Sequence, residues 1–464
     1  MSRPSGQNTR VLLVSVNTED QPYPVYPLAL DYLRAPLQQA GYDTRTWDSQ
    51  FAQSRGFKFE EVLRSYDPAV ALVSVRNADN NDAANTKNYL PDTLAMVAAI
   101  KNHTGAKVVL GGSGYSLFPD EILKASQADC GVMGPGEHIV VALVEALLEG
   151  TDPCLLPGLV YRQGDSCRIN PPVPPSSARA LLSRDRELVQ SYWEQGGLPG
   201  VQLKRGCPYE CVYCTYPLLE GRKFLQKDAA EVVDEIQGFY ETAGVDQFFV
   251  VDSVMNAVPA LARAFAEELC RRRLPVHWSG YFIPKGITRE CVELWRASGL
   301  DGIEFGVDTL CPPLLKRWGK AFQLADLHQA AQACVETGMP YSMYLIFGGP
   351  GETHETLEQT IAEAQACPKA VVFGFLGMRI YPRTRLLDIA RQEGVVRNGD
   401  NLLEPKFYIS SQLDPDRLTA RLAELGRQLN WLIVGPSLEK KTRAAARLRS
   451  RGRKGALWQE LAPR

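Results

Sequence analysis

Three cysteines fall within one short stretch of this 464-residue chain, Gly206-Cys207-Pro208-Tyr209-Glu210-Cys211-Val212-Tyr213-Cys214. Thiolates at Cys-x3-Cys-x2-Cys spacing can converge on one soft metal centre, and three of them leave a fourth position open for a reactant. A structural zinc site is closed instead and calls for a fourth Cys or His at knuckle spacing. The next histidine along is His277, so the closed alternative lacks its ligand.

The elements that must position this stretch come in two series. From 8 to 150, apolar runs alternate with segments of helical spacing. The runs are Arg10–Asn17, Ala69–Val75, Lys107–Leu110 and Cys130–Met133; the helices lie near 27–41, 94–101 and 139–148. Strand and helix in alternation predict a doubly wound parallel sheet, with its ligand crevice beyond the carboxyl ends of the strands. Residues 151–198 read as a linker with a small hairpin at 159–169 and a stiff proline run from Pro171. From 199 to 409 the alternation resumes, with strands expected at 200–203, 247–251, 277–281, 301–308, 341–347 and 370–375. Six strand-helix units predict a partial (β/α)6 barrel, whose sites gather at the carboxyl ends of its strands. Residues 410–464 are expected to be a helical tail, with a helix over 414–432 and then a basic run that reads as a solvated face or frayed end. Binding of an acidic substrate, nucleic acid or a membrane surface is the alternative for that run.

A composition of 45% hydrophobic and 22% charged residues is that of a globular protein, and a formal net charge of −2 gives no electrostatic reason to expect nucleic acid. No apolar run reaches the length of a membrane span and the N-terminus has no signal-peptide core, so the expected location is the cytoplasm. Eleven cysteines in a reducing compartment then argue for thiols and a cluster rather than disulfides. The eight outside the motif are expected to be small buried apolar residues.

At the cysteine stretch the sequence resembles the radical S-adenosylmethionine (radical SAM) superfamily. The resemblance implies a 4Fe-4S cluster on Cys207, Cys211 and Cys214, SAM chelated at the open iron, and Tyr213 near the adenine. It extends to three strand ends. Asp252 and Ser253 match the segment facing the methionine part of SAM. Glu304 matches the carboxylate that accepts from the ribose hydroxyls, with a barrel-interior ion pair as the plainer reading. Gly349 and Gly351 match the turn beside the adenine, with an ordinary loop as the alternative. Where Arg383 stands, the family commonly has glycine.

Upstream, the strand-end loops look like the cobalamin-binding domain of cobalamin-dependent radical SAM enzymes. The glycine loops along the cofactor's nucleotide tail map to Gly111, Gly112, Ser113 and Gly114 and to Gly134, Gly136 and Glu137. The Asp-x-His-x-x-Gly signature, whose histidine ligates cobalt, is absent, so the implied cobalt has no histidine below it. Arg76 or Asn77, following the second buried strand, would border that lower face. A guanidinium has no lone pair to donate. The competing reading is an ion pair from Arg76 to Asp79 or Asp82.

The resemblance implies a C-methyltransferase acting on an unactivated carbon of a secondary-metabolite precursor, with a small molecule or peptide as substrate and a flavodoxin- or ferredoxin-like reductant. In the family mechanism one SAM methylates the corrinoid, another yields a 5′-deoxyadenosyl radical, and the substrate radical takes the methyl group. The substrate's expected place is the crevice between the two domains. Two alternatives stand beside it: cyclisation or ring rearrangement with the same cofactors, and a regulatory module without turnover.

Overall fold

The computed structural model describes residues 9–20, 23–52, 56–173, 184–433, 447–449, 452, 454 and 457–461. They form two compact units, the first made mainly of residues up to 191 and the second of residues from 192 onward.

The first unit is built on strands β1 (Arg10–Ser15), β2 (Asp43–Asp48), β3 (Val70–Ser74), β4 (Lys107–Gly111), β5 (Cys130–Val132), β6 (Leu159–Gln163) and β7 (Ser166–Ile169), in the sheet order β2-β1-β3-β4-β5-β6-β7. The first five are parallel and the last two antiparallel. Val11, Leu12, Leu13 and Val14 are completely buried, as a strand covered by helices on both faces requires. In this order the neighbours β1 and β3 mark the point where the chain switches faces, where such sheets keep their ligand crevice.

Two features of this unit differ from the sequence reading. Asp43-Thr44-Arg45-Thr46-Trp47-Asp48 forms an edge strand, although its polar residues hide it from an apolar-run criterion. The hairpin expected in the linker instead extends the first sheet, because Gly131 pairs with Val160 across β5 and β6.

The second unit carries β8 (Gly200–Val201), a two-stranded ribbon of β9 (Lys204–Arg205) and β10 (Leu225–Gln226), then β11 (Gln247–Val250), β12 (His277–Phe282), β13 (Leu300–Asp308), β14 (Tyr341–Phe347) and β15 (Val371–Leu376). A second ribbon joins β16 (Met378–Arg379) to β17 (Phe407–Tyr408), and β18 (Trp431–Ile433) follows. The main sheet runs β18-β15-β14-β13-β12-β11-β8 and is parallel throughout. Its two edge strands do not pair with each other, so it is an open barrel. All six expected strands are present.

The seventh corrects the helix expected over 414–432. That helix spans only Pro415–Leu425, and Trp431-Leu432-Ile433 pairs with β15. Most of the basic run expected at the C-terminus lies outside the described residues.

Several helices of the second unit start at Asp or Thr caps, while the helix Pro259–Arg272 starts without a side-chain cap. Asp228, Thr288, Thr353 and Thr384 each accept from a backbone N–H in the first turn, which fixes where each strand-end loop stops. Along β13, Ile303, Phe305 and Val307 are buried against the helices, so Gly302, Glu304 and Gly306 face the barrel interior.

Candidate active site at the cysteine loop

The loop holding Cys207, Cys211 and Cys214 is tied down on three sides. Gly206 has φ +86°, and a Cβ there would strike the carbonyl of Lys223. Its N–H donates to Glu220 Oε2 at 3.1 Å, while the Cys207 N–H donates to the Gly221 carbonyl at 3.0 Å. On the far side the Val212 N–H donates to the Trp318 carbonyl at 3.1 Å, and Gly319 (φ +72°) leaves room for the Glu210 carbonyl. The Leu386 N–H donates to the Val212 carbonyl at 2.8 Å, completing the clamp.

Cys207 is buried and the other two thiols are half-buried. Burial pushes Cys211 up and Cys214 to about 12, and proximity adds to this, since each thiol's ionisation is opposed by a neighbouring cysteine. Among the described residues no three His, Cys, Asp or Glu side chains are already drawn around one metal position. The donor set nevertheless suits a cationic iron-sulfur centre: three soft ligands on a clamped loop, whose crowding as thiolates a cation would relieve.

Beside the loop stands a network that the sequence reading missed. Tyr213 donates to Asp308 Oδ2 at 2.6 Å, and Lys320 Nζ lies 2.6 Å from the same oxygen and 2.9 Å from the Gly306 carbonyl. Asp308 closes β13 with φ +64°, a left-handed conformation rare for a residue with a side chain. Burial alone would lower the Lys320 pKa, but Asp308 and then Cys211 overcome it and the net shift is upward. Burial, then Asp308, raises Tyr213. The available signal was position: a carboxylate at the carboxyl end of a barrel strand.

The other barrel residues singled out from sequence are placed as follows. Asp252 is fully buried and accepts from the Leu203 and Lys204 N–H groups at 2.9 and 3.2 Å and from Lys204 Nζ at 2.6 Å. It binds the end of β11 to the entry of the cysteine loop. Ser253 Oγ donates to the Gly206 carbonyl at 3.1 Å. Glu304 lies in the barrel interior and, among the described residues, is in no ion pair. Tyr344 donates to its Oε2 at 2.6 Å and Trp458 Nε1 to its Oε1 at 3.3 Å, and burial raises its pKa despite both bonds.

Gly349 packs against Trp318, whose indole donates to the Pro350 carbonyl at 2.9 Å, and Gly351 adopts φ +76°. The turn also buries Glu352, which accepts from the Gly348 N–H and is pushed up to about 7 by burial. Arg383 has φ +62°, the backbone that the family's usual glycine adopts without cost.

Around Glu304 the interior wall is aromatic. The Phe249 and Tyr281 rings meet edge-on at 5.2 Å and Tyr281 meets Tyr344 at 5.7 Å. Tyr344 stacks on Phe373 at 4.7 Å and on Phe375 at 6.2 Å.

In the first unit the glycine loop after β4 packs on the loop after β3. A Cβ on Gly112 (φ +98°) would lie 2.6 Å from the Val75 carbonyl oxygen, and one on Gly114 would lie 2.8 Å from the Asn77 backbone. Ser113 Oγ and the Gly114 N–H donate to the Arg76 carbonyl at 2.7 and 2.9 Å. These glycines thus serve close backbone packing between loops. Gly111 ends β4. Gly134 has φ +86° with its N–H donating to Ser116 Oγ at 3.0 Å, and Gly136 and Glu137 follow in the same half-buried loop. Arg76 and Asn77 are half-buried and Asp79 is buried. Of the eight scattered cysteines, Cys130, Cys311, Cys334 and Cys367 are buried as expected. Cys154, Cys167, Cys270 and Cys291 are only half-buried.

A doubly wound unit followed by an open parallel barrel with three clamped cysteines defines a class. The B12 binding domain profile matches residues 14–144 and the Radical SAM superfamily profile residues 201–364. The chain thus carries a B12-binding domain followed by a radical SAM domain, the pairing of the cobalamin-binding radical SAM enzymes, and it is similar to their methyltransferases. A tryptophan 2-C-methyltransferase of Streptomyces laurentii is 27% identical over 429 residues, spanning 77% of this chain and 71% of its own. The radical S-adenosylmethionine methyltransferase TsrM of Kitasatospora setae, solved with cobalamin and a 4Fe-4S cluster, superposes with a TM-score of 0.84 at 25% identity over 98% of this chain and 97% of its own. A second structure of that protein holds tryptophan and the SAM analogue aza-SAM, with a TM-score of 0.83, 25% identity and 98% coverage of both chains. An anaerobic magnesium-protoporphyrin IX monomethyl ester cyclase of Rubrivivax gelatinosus is 27% identical over 55% of this chain and 48% of its own length. Among the described residues no helix is long and apolar enough to cross a membrane.

Proposed function

We propose that this enzyme transfers the methyl group of SAM to a carbon of a small substrate bearing an aromatic ring, with a corrinoid as methyl carrier. The observation that carries the reading is the joint presence of the clamped cysteine loop and a B12-binding unit in a chain that matches a methyltransferase over nearly its whole length. The row of rings from Phe249 to Phe375 supports an aromatic substrate, since flat rings pack edge-on or stacked against such a wall.

When bound, the 4Fe-4S cluster and cobalamin supply the electron and the methyl-carrying metal, which no side chain can. Cys207, Cys211 and Cys214 hold the cluster. Asp308 orients Tyr213 and Lys320 and offers a carboxylate for a ribose. Gly349 and Gly351 keep the turn after β14 low enough for an adenine to lie on it. Ser253 braces the Gly206 end of the loop. Glu304 fixes the hydroxyl of Tyr344 and so the tilt of that ring in the wall.

In the first unit, Arg76 and Asn77 and the loops at 111–114 and 134–137 would hold the corrinoid, which would supply the methyl-carrying metal. A flavodoxin- or ferredoxin-type protein supplies electrons.

Deuterated-methyl SAM tests the reading. Label recovered on the extracted corrinoid and in an aromatic product supports methyl transfer. SAM cleavage with an unlabelled, rearranged product favours cyclisation, the reading that the cyclase relative supports. Absence of any SAM turnover after anaerobic reconstitution favours a regulatory module.

A further inference from the structure

The C-terminal segment enters the second unit from the end of the barrel opposite to that of the cysteine loop. Trp458 and Gln459, in the short turn Leu457–Leu461, meet the start of β13: Gln459 Nε2 donates to the Asp301 carbonyl at 2.9 Å and Trp458 Nε1 to Glu304 at 3.3 Å. The barrel is shaped to receive them. Gly302, between Asp301 and Glu304 in space as in sequence, would bring a Cβ to within 2.9 Å of the Trp458 ring.

Two earlier stations repeat the pattern. Arg449 stacks its guanidinium on Tyr23 at 5.4 Å and occupies the space a Cβ on Gly196 would need, at 2.8 Å. Lys454 Nζ sits 3.5 Å from the centre of the Trp193 ring, where burial lowers its pKa. These contacts correct the expectation of a solvated end at Arg449 and Lys454, while Arg447 and Gly452 are exposed as expected. Two glycines far apart in the sequence make way for tail side chains, as in a built interface.

We infer that Arg449, Lys454 and the turn Leu457–Leu461 belong to the floor of the barrel, and that Trp458 is a positioning residue that seals the aromatic interior and holds the Glu304–Tyr344 pair. The carboxylate receives one donor from the wall and one from the floor, so losing the indole removes half of what orients it. The Tyr344 ring is half-buried with its hydroxyl held by Glu304, whereas Tyr281 on the neighbouring wall is 38% exposed. The link to catalysis rests on the proposed function; the floor itself does not.

Nitration of the full-length, cofactor-free protein with tetranitromethane, mapped by mass spectrometry, tests the inference. In the unsubstituted protein Tyr281 is modified and Tyr344 is protected. Trp458→Ala abolishes that protection and Trp458→Phe, which keeps a ring in place, restores most of it. Gly302→Ala, a single added methyl, displaces the tail and exposes Tyr344 in the same way; it serves as the independent variant should Trp458→Ala fold poorly. Tyr344 remaining protected in both Trp458→Ala and Gly302→Ala, or reacting as readily as Tyr281 in the unsubstituted protein, overturns the inference. Neither outcome depends on iron or corrinoid, so failure here is distinct from failure of the radical SAM reading. Under that reading the same Trp458→Ala variant also yields less methylated product per SAM consumed.

Discussion

Asp252 and Asp308 stand in similar positions with different tasks. Each ends or follows a barrel strand, each is buried, and each has a lysine Nζ at 2.6 Å. Around Asp252 the chain itself supplies every donor: two backbone N–H groups and Lys204, whose Nζ also reaches the Met255 carbonyl at 3.0 Å. Around Asp308 the partners are Tyr213 of the cysteine loop and Lys320, the backbone is left-handed, and both side-chain contacts fall on one oxygen, Oδ2. A buried ion pair alone therefore does not mark a reaction site. Strain in the backbone together with contact to the cysteine loop is the better sign, because strain persists only where the surroundings enforce it.

The comparison is broken most forcefully at Asp252. Asp252→Ala leaves Lys204 buried without its partner and is expected to destabilise the protein by about 3–5 kcal/mol in denaturant unfolding. Asp308→Asn leaves Lys320 a neutral acceptor in place of its carboxylate and is expected to cost less stability than Asp252→Ala, while weakening SAM binding or cluster retention by roughly 10- to 100-fold, measured by equilibrium dialysis and iron content. If the two variants exchange phenotypes, the distinction is wrong.

A third carboxylate sharpens it further. Glu352 is buried with no cation among its causes of shift, and its pKa is raised to about 7. A carboxyl raised on folding binds its proton more tightly in the native state. Stability is thus fully present below its unfolded pKa near 4.5 and is lost as pH rises towards 7. Glu352→Gln should remove up to roughly 3 kcal/mol of that loss between pH 5 and pH 8, read as a flatter dependence of unfolding free energy on pH.

The smallest expected effect concerns backbone strain. Arg383 shares the left-handed backbone of Asp308, and Arg383→Gly should change stability by no more than about 1 kcal/mol, because relieved strain and added chain entropy oppose each other.

Much of this architecture could be read from the chain before folding. The cysteine spacing, the six apolar barrel strands and the sheet of the first unit announce themselves through ligand chemistry and buried runs. Asp43–Asp48 does not, because an edge strand with polar side chains has no apolar run. Trp431-Leu432-Ile433 follows a helix closely enough to read as its continuation, and only pairing with β15 separates the two. Glu304 drew attention over Asp308 through local pattern, whereas contact with Tyr213 and Lys320 is a fact of tertiary structure. The tail left one clue, a tryptophan just past the basic stretch, whose indole N–H usually finds a partner when buried.

The most direct measurement is the iron, sulfide and cobalt content of the protein after anaerobic reconstitution with iron, sulfide and hydroxocobalamin, made in parallel on a Cys207→Ala, Cys211→Ala, Cys214→Ala variant. The account predicts iron, sulfide and bound corrinoid in the parent chain, and loss of iron and sulfide with retention of corrinoid in the variant. A parent chain that takes up zinc in place of iron, or that holds neither iron nor corrinoid, contradicts it.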